Sequence, residues 1–383
     1  MKSHPVSARE VKKLVSAIVG DDMHAKRILS VSNAVLGIIH AAALSIHAIG
    51  QGLAQRAGLN AKHATKQVDR LLSNVAISVW SLFERWVPHV VGERQEIVVA
   101  LDWTEFDDDD HATIALNLVT SHGRATPLLW KTVKKSRLKG KRNKHEDALL
   151  YRLYETLPMG TKATVLADRG FGDQKLYAFC KELGFDFLIR FRGIVRVESA
   201  DGEVRTAAEW VPSNGRPKIL RTARVTADRY LVGAVVCIKA RGMKEPWCLA
   251  SSRDDIAGAF AVRLYGRRFT IEETFRDQKD PRYGMGLSAT HIGDTNRRDR
   301  LLLIFAMSMM LITILGAAGE SLAMDRMLKV NTAKKRTHSL FRQGCYYYGA
   351  IPNMKKHLLE SLATRFGEYI LAQPFYTDVF GLI

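Results

Sequence analysis

The sequence holds only four cysteines, Cys180, Cys237, Cys248 and Cys345, and none forms a Cys-x-x-Cys pair. That argues against a disulfide framework and a thiolate zinc site, and it fits a reducing compartment. The twelve histidines are dispersed, without metal-ligand spacing. No internal repeat and no low-complexity tract is present. The opening stretch MKSHPVSAREVKKLV lacks an apolar h-region, so no secretory signal is expected and the cytoplasm is the expected compartment. One long apolar run occurs, LLLIFAMSMMLITILGAA at 301–318. It contains Ser308 and Thr313 and lies within a basic chain, so it reads as a buried core helix and not as a membrane span.

Acid is also in short supply. The 383 residues carry 57 Lys and Arg against 39 Asp and Glu, a formal net charge of +18. Such an excess points to a polyanionic partner, nucleic acid first. Hydrophobic residues make up 47%, enough for two or three folded domains with a large core.

Residues 1–92 read as helical. Ser45 is placed to cap one helix, Ala-Gly-Leu-Asn at 57–60 to form a turn, and 61–73 to form a second helix. This is a helix-turn-helix pattern with Lys62, Lys66 and Arg70 on the recognition helix. Residues 1–90 hold 11 Lys and Arg against 5 Asp and Glu, which favours DNA contact.

From Glu96 the pattern changes to strands. EIVVALDWTEF is a buried-strand run, followed by strands at 112–119 and 124–133. A helix capped by Asn143 is expected at 143–157, a strand at 162–168, a helix capped by Asp173 at 173–183, and a strand at 185–191. Three strands, then helix, strand, helix, strand, is the order of the ribonuclease H-like fold. The fold class is therefore α/β, with a ribonuclease H-like core over 93–193 and 251–318. A β-rich insertion is expected at 194–250 and a helical C-terminal region at 319–383.

Two strands are read as ending in aspartate: VVAL runs into Asp102 and TVLA into Asp168. Carboxylates delivered to one sheet edge repel each other and call for a hard divalent cation. A pair of such ions suits phosphodiester chemistry. The stretch YGRRFTIEETFRDQKD, 265–280, adds a third acid. Wound as one α-helix, it puts Tyr265, Arg268, Glu272, Arg276 and Lys279 on a stripe roughly 80° wide. Glu272 then joins the acids, and Tyr265, Arg268, Arg276 and Lys279 beside it face the DNA backbone. Arg190 and Arg192 alternate with Phe191 and share a face toward phosphates. The basic run 131–144, with eight Lys and Arg and no acid, reads as a phosphate-binding loop. The four acids Asp107 to Asp110 read as a solvated loop.

Tyr265, Arg268, Glu272 and Lys279 stand at the spacing of the Tyr-Arg-Glu-Lys signature. With LDWT and ADRGF, the chain resembles DDE transposases of the bacterial insertion sequence 4 family. The resemblance implies catalytic and metal-binding roles for Asp102, Asp168 and Glu272, with two divalent ions, magnesium or manganese. It implies double-stranded DNA as partner, both terminal inverted repeats and target, and a homodimer in the synaptic complex with 319–383 contributing. It implies cut-and-paste excision and integration through hairpin ends, in a nucleoid-associated protein. WCLASS, from Trp247, resembles the family's strand whose tryptophan stacks on a flipped base. Phe269 departs from the tryptophan some members carry after the signature arginine. The alternatives are a non-catalytic DNA-binding repressor derived from a transposase and a membrane-associated basic protein.

Overall fold

The computed structural model describes residues 5–20 and 23–371. The expected dimerisation region 319–383 therefore includes 372–383, which lie outside the described residues.

Five helices come first: α1 (Ala8–Val19), α2 (Ala25–Ala41), α3 (Ile46–Ala57), α4 (Ala61–Leu72) and α5 (Val79–Val91). The α3–α4 pair starts where its caps dictate. Ser45 Oγ accepts from the Ala48 N–H at 3.2 Å, and Asn60 Oδ1 accepts from Lys62 and His63 N–H at 3.0 and 3.3 Å. Gly58 ends α3 in the left-handed region, φ 67°. The helices touch so closely at Gly50 that a Cβ there would lie 2.5 Å from Thr65 Cα.

The core follows: β1 (Glu96–Phe106), β2 (His111–Leu118), β3 (Thr126–Lys134), α6 (Arg142–Thr156), β4 (Lys162–Ala167), α7 (Gln174–Glu182) and β5 (Asp186–Phe191). β1 pairs antiparallel with β2 and parallel with β4, and β4 pairs parallel with β5. Asp173 caps α7, as expected. Asn143 does not cap α6: the helix begins one residue earlier, at Arg142, and Lys141 in the cap position makes no side-chain cap bond.

Segment 194–250 divides between two sheets. β6 (Arg196–Glu198), β7 (Val204–Thr206), β9 (Arg224–Val225) and β10 (Tyr230–Leu231) form a small four-stranded sheet. β8 (Lys218–Arg221), β11 (Ala234–Ile238) and β12 (Trp247–Ser251) extend the central sheet instead. Its order is β3-β2-β1-β4-β5-β12-β11-β8. The apolar strand β11, buried at every position, needs partners on both sides and finds them in β8 and β12. The protein is mixed α/β with the strand order of a ribonuclease H-like core.

The last helices are α8 (Gly258–Gly266), α9 (Thr270–Lys279), α10 (Thr295–Ser321), α11 (Leu340–Ala350) and α12 (Lys356–Leu371). α10 contains the apolar run. It is long and apolar enough to cross a membrane, and its apolar window is buried throughout inside the fold. α2, α11, α12 and β3 pack against it. Its first two turns tie the N-terminal helices to the sheet. Arg297 pairs with Asp69 of α4 at 2.7 Å. Arg300 donates to the Leu72 and Ile77 carbonyls, both at 2.9 Å. The Asp299 carboxylate accepts from the Thr132 N–H at 2.9 Å. One apolar core runs from Val6 to Phe366.

Candidate active site

Asp102 and Asp168 are neighbours because of register. The last pair between β1 and β4 is Leu101 with Ala167, so the two aspartates are the next residues on adjacent parallel strands. Asp168 follows the end of β4, as the sequence suggested. Asp102 does not end β1. The strand continues to Phe106 because β2 keeps pairing with it, down to Phe106 with His111. Each carboxylate is braced by a local backbone donor. Asp102 accepts from the Trp103 N–H at 2.8 Å and Asp168 from the Gly170 N–H at 2.7 Å. Gly172 then passes so near β5 that a Cβ would meet Phe191 Cβ at 2.7 Å.

The stretch 265–280 is not one α-helix. α8 ends at Gly266, a 3₁₀ turn spans Arg267–Phe269, and α9 begins at Thr270. The turn winds tighter than an α-helix, so the stripe is broken after Tyr265. Its residues separate into two groups. Tyr265 and Arg268 are buried, at 1% and 4% exposure. Glu272 and Arg276 are exposed. Arg268 bridges the acids: Nη1 donates to Asp102 Oδ2 at 3.2 Å and Nη2 to Glu272 Oε1 at 2.5 Å. Lys279 points down β1, where Nζ donates to the Glu105 carbonyl at 2.6 Å and to Thr104 Oγ1 at 3.2 Å. Tyr265 packs edge-on against Trp247, with ring centroids 4.9 Å apart, and Phe269 lies 5.9 Å from Trp247. Tyr265, Arg268 and Lys279, expected to face the DNA backbone, all make internal contacts here.

Charge at this edge is under-compensated. Burial pushes the Asp102 carboxyl up to about 6; Arg268 pulls it back, and Asp168 and Glu272 push it further up. The donors are all carboxylate oxygens, the ligand type a hard divalent cation takes. Asp102 and Asp168 stand side by side, while Glu272 reaches Asp102 through Arg268. Among the described residues, no three acid, histidine or cysteine side chains lie close enough to hold one ion. The donor chemistry fits a divalent metal, and Arg268 holds the positive charge between two of the acids.

Other expected contacts are placed as follows. Arg190 is half-buried, level with Asp168 on the next strand, since Ala167 pairs with Ile189. Arg192 is exposed beyond the end of β5. Lys62, Lys66 and Arg70 are exposed along α4. The basic run is partly spent internally: Lys135 pairs with Glu105 and Asp107, and Arg142 with Glu105, each at 2.6 Å. In the run Asp107–Asp110, Asp107 and Asp108 are exposed, as the solvated-loop reading expects, but Asp109 and Asp110 are not. Asp109 is almost buried and pairs with Arg298.

Two features escaped the sequence. Asp277, on the buried face of α9, is fully buried and held by Arg124 at 2.6 Å and Arg342 at 2.7 Å. Glu146 of α6 is buried and accepts from Trp103 Nε1 at 2.8 Å, which fixes the residue next to Asp102. Neither has a local signal, because the partners lie far apart in the chain.

No curated protein matches this chain. The family model for the transposase DDE domain matches residues 95–311, more than half of the chain and the span that carries Asp102, Asp168 and Glu272. The chain belongs to the DDE transposase family, whose members act on DNA with the help of divalent metal ions.

Proposed function

We propose that this chain is a cut-and-paste transposase of the insertion sequence 4 type, acting on the ends of its own element. The supporting observation is the meeting of three separate segments at one sheet edge. Register sets Asp102 beside Asp168, and Arg268 of the Tyr-Arg-Glu-Lys signature ties Glu272 to Asp102.

In this reading Asp102, Asp168 and Glu272 would hold two divalent ions, magnesium or manganese. When bound, such ions stabilise charge on the attacking and leaving oxygens of a phosphoryl displacement. The chain's own residues do the rest. The Trp103 N–H and the Gly170 N–H orient the two aspartates. Arg268 acts as a positioning residue for Glu272, and Tyr265 backs it with its ring. Arg190, Arg192 and Arg276 would hold the DNA backbone near the acids, with Lys279 at the far end of β1. Lys62, Lys66 and Arg70 would read the terminal repeat from α4. Water would cleave one strand and free a 3′-hydroxyl, which attacks a phosphodiester of the opposite strand, releasing the flanking DNA and closing a hairpin. Water would then reopen the hairpin, and the freed 3′-hydroxyls would attack phosphodiesters of target DNA, each displacing a target 3′-oxygen. Two copies of the chain would pair the two ends.

The domain plan that goes with this reading is a DNA-binding region at 1–92, a catalytic core at 93–193 and 251–318, and a pairing region at 319–383. Incubation of the protein with its element ends and magnesium should give nicked and then hairpinned ends. Alanine at Asp102, Asp168 or Glu272 should abolish both products and leave end binding nearly unchanged. Binding without cleavage by the wild-type chain would overturn the enzymatic reading and favour a repressor.

A further inference from the structure

Beside Asp168 the structure holds a second cluster that the acidic triad does not use. Arg169 follows Asp168 directly. Arg190 stands level with it on β5. Both guanidinium groups converge on one oxygen. Arg169 Nη1 donates to Glu245 Oε2 at 2.7 Å, and Arg190 Nη2 donates to the same atom at 2.9 Å. Arg190 Nη2 also donates to the Pro246 carbonyl at 3.1 Å, while its Nε is buried and makes no hydrogen bond.

We propose that Arg169 and Arg190 form a phosphate-binding pair, and that Glu245 is the internal ligand a DNA backbone phosphate displaces. The proposal rests on the DNA-binding reading above and adds a site and a mode of entry to it. Two arginines, one in the turn after β4 and one on β5, aimed at a single oxygen make an anion site. Arg190 is mostly enclosed, with 17% of its side chain exposed, so it needs an anion in both states.

The present anion is easily exchanged. Glu245 is half-exposed, and exposed ion pairs hold weakly. A phosphodiester offers two free oxygens where Glu245 uses one.

The surroundings favour a polyanion too. Glu245 lies on the link 239–246 between β11 and β12. The other charged residues of that link, Lys239, Arg241 and Lys244, are all basic and exposed. Glu245 is the single acid in it, and it is the residue that meets the arginines. Released, it frees the link two residues before Trp247, where β12 begins.

The test compares full-length wild type with Glu245→Gln on a random-sequence fluorescent duplex, at several salt concentrations. Glu245→Gln should bind about two- to tenfold more tightly. The gain should vanish when Arg169→Gln and Arg190→Gln are added. Glu360→Gln, on α12, controls for net charge, and Glu245→Ala repeats the test should the glutamine variant misfold. No gain, or a gain that survives loss of both arginines, overturns the proposal. Wild-type cleavage of element ends separately tests the transposase reading. Should the wild type bind no DNA, inorganic phosphate still reads the pair by thermal melting. It should stabilise Glu245→Gln more than wild type and leave the variant lacking both arginines unchanged; equal responses in all three would sink the pair.

Discussion

Two groups of acids lie along β1, and they are treated in opposite ways. At its far end, Glu105, Asp107, Asp109 and Asp110 stand together. Each is answered: Glu105 by Lys135 and Arg142, Asp107 by Lys135, Asp109 by Arg298, and Asp110 by the Ser136 N–H and hydroxyl. Hydrogen bonds from their partners hold the Glu105 and Asp110 carboxyls below their ordinary values. In the middle, Asp102 and Glu272 share Arg268, Asp168 beside them accepts from the Gly170 N–H, and burial holds Asp102 above its ordinary value. The dense run is a structural knot. The sparse trio carries unbalanced charge, which the proposed metal-binding role would answer with a cation.

The contrast breaks if the two groups respond alike to loss of charge. Asp102→Asn should lower strand cleavage by at least about a thousandfold. Its melting temperature should hold or rise, since a buried, poorly compensated charge is removed. A gel assay with magnesium and a thermal melt decide it together. Asp109→Ala should do the reverse. It strands the fully buried Arg298 and should cost about 3–5 kcal/mol in urea unfolding. Loss of cleavage without loss of stability in Asp109→Ala would erase the distinction.

Trp247 tests whether the trio works with the aromatic face beside it. A stacking surface is worth about 1–3 kcal/mol per base, or about five- to 150-fold. Trp247→Ala should spare the first nick and slow hairpin formation by about that factor. An abasic end substrate should restore much of the rate. Equal slowing of both steps, without rescue, would mark Trp247 as packing alone.

Asp299 sharpens the comparison from a third position. It is half-buried near the start of α10, and desolvation raises its carboxyl to about 7 despite the hydrogen bonds from Thr132. The folded state therefore binds its proton more tightly than the unfolded chain does. Its contribution is full below the ordinary value of 3.8 and is lost as pH rises through about 7. Asp299→Asn should flatten that part of the pH–stability curve, read by urea melts between these values. Glu105→Gln should act on the acid side instead, where the lowered carboxyl loses its stabilisation as pH falls. The smallest effect is expected at α4. Lys66→Ala should weaken end binding severalfold and reduce the salt slope by about one. An unchanged slope would remove Lys66 from the backbone contacts.

Much of this was legible because it is written locally. Ser45 and Asn60 announce the starts of α3 and α4, and the apolar runs before Asp102 and Asp168 announce β1 and β4. The failures are tertiary. β1 runs past Asp102 because β2 continues to pair with it. The stretch 265–280 breaks at Arg267–Phe269, where Arg268 turns in to meet Asp102, a residue 166 positions away. The acids at 107–110 look solvated until Arg298 arrives from α10. Segment 194–250 reads as a β-rich insertion, but nothing local says that β8, β11 and β12 extend the central sheet. No local pattern encodes a partner of that kind.

α10 sets a condition on how the protein can be made. The helices before it and the sheet before it both rest on its sides, and its first two turns supply the joints between them. A chain emerging from the ribosome reaches this axle only after roughly three quarters of its length has been synthesised. Until then the faces of α2 and β3 that pack on α10 stay uncovered. A product truncated before Thr295 would keep α4 and both aspartates but lose the element that joins them, so a shortened chain would serve poorly as a free-standing DNA-binding competitor of the full one.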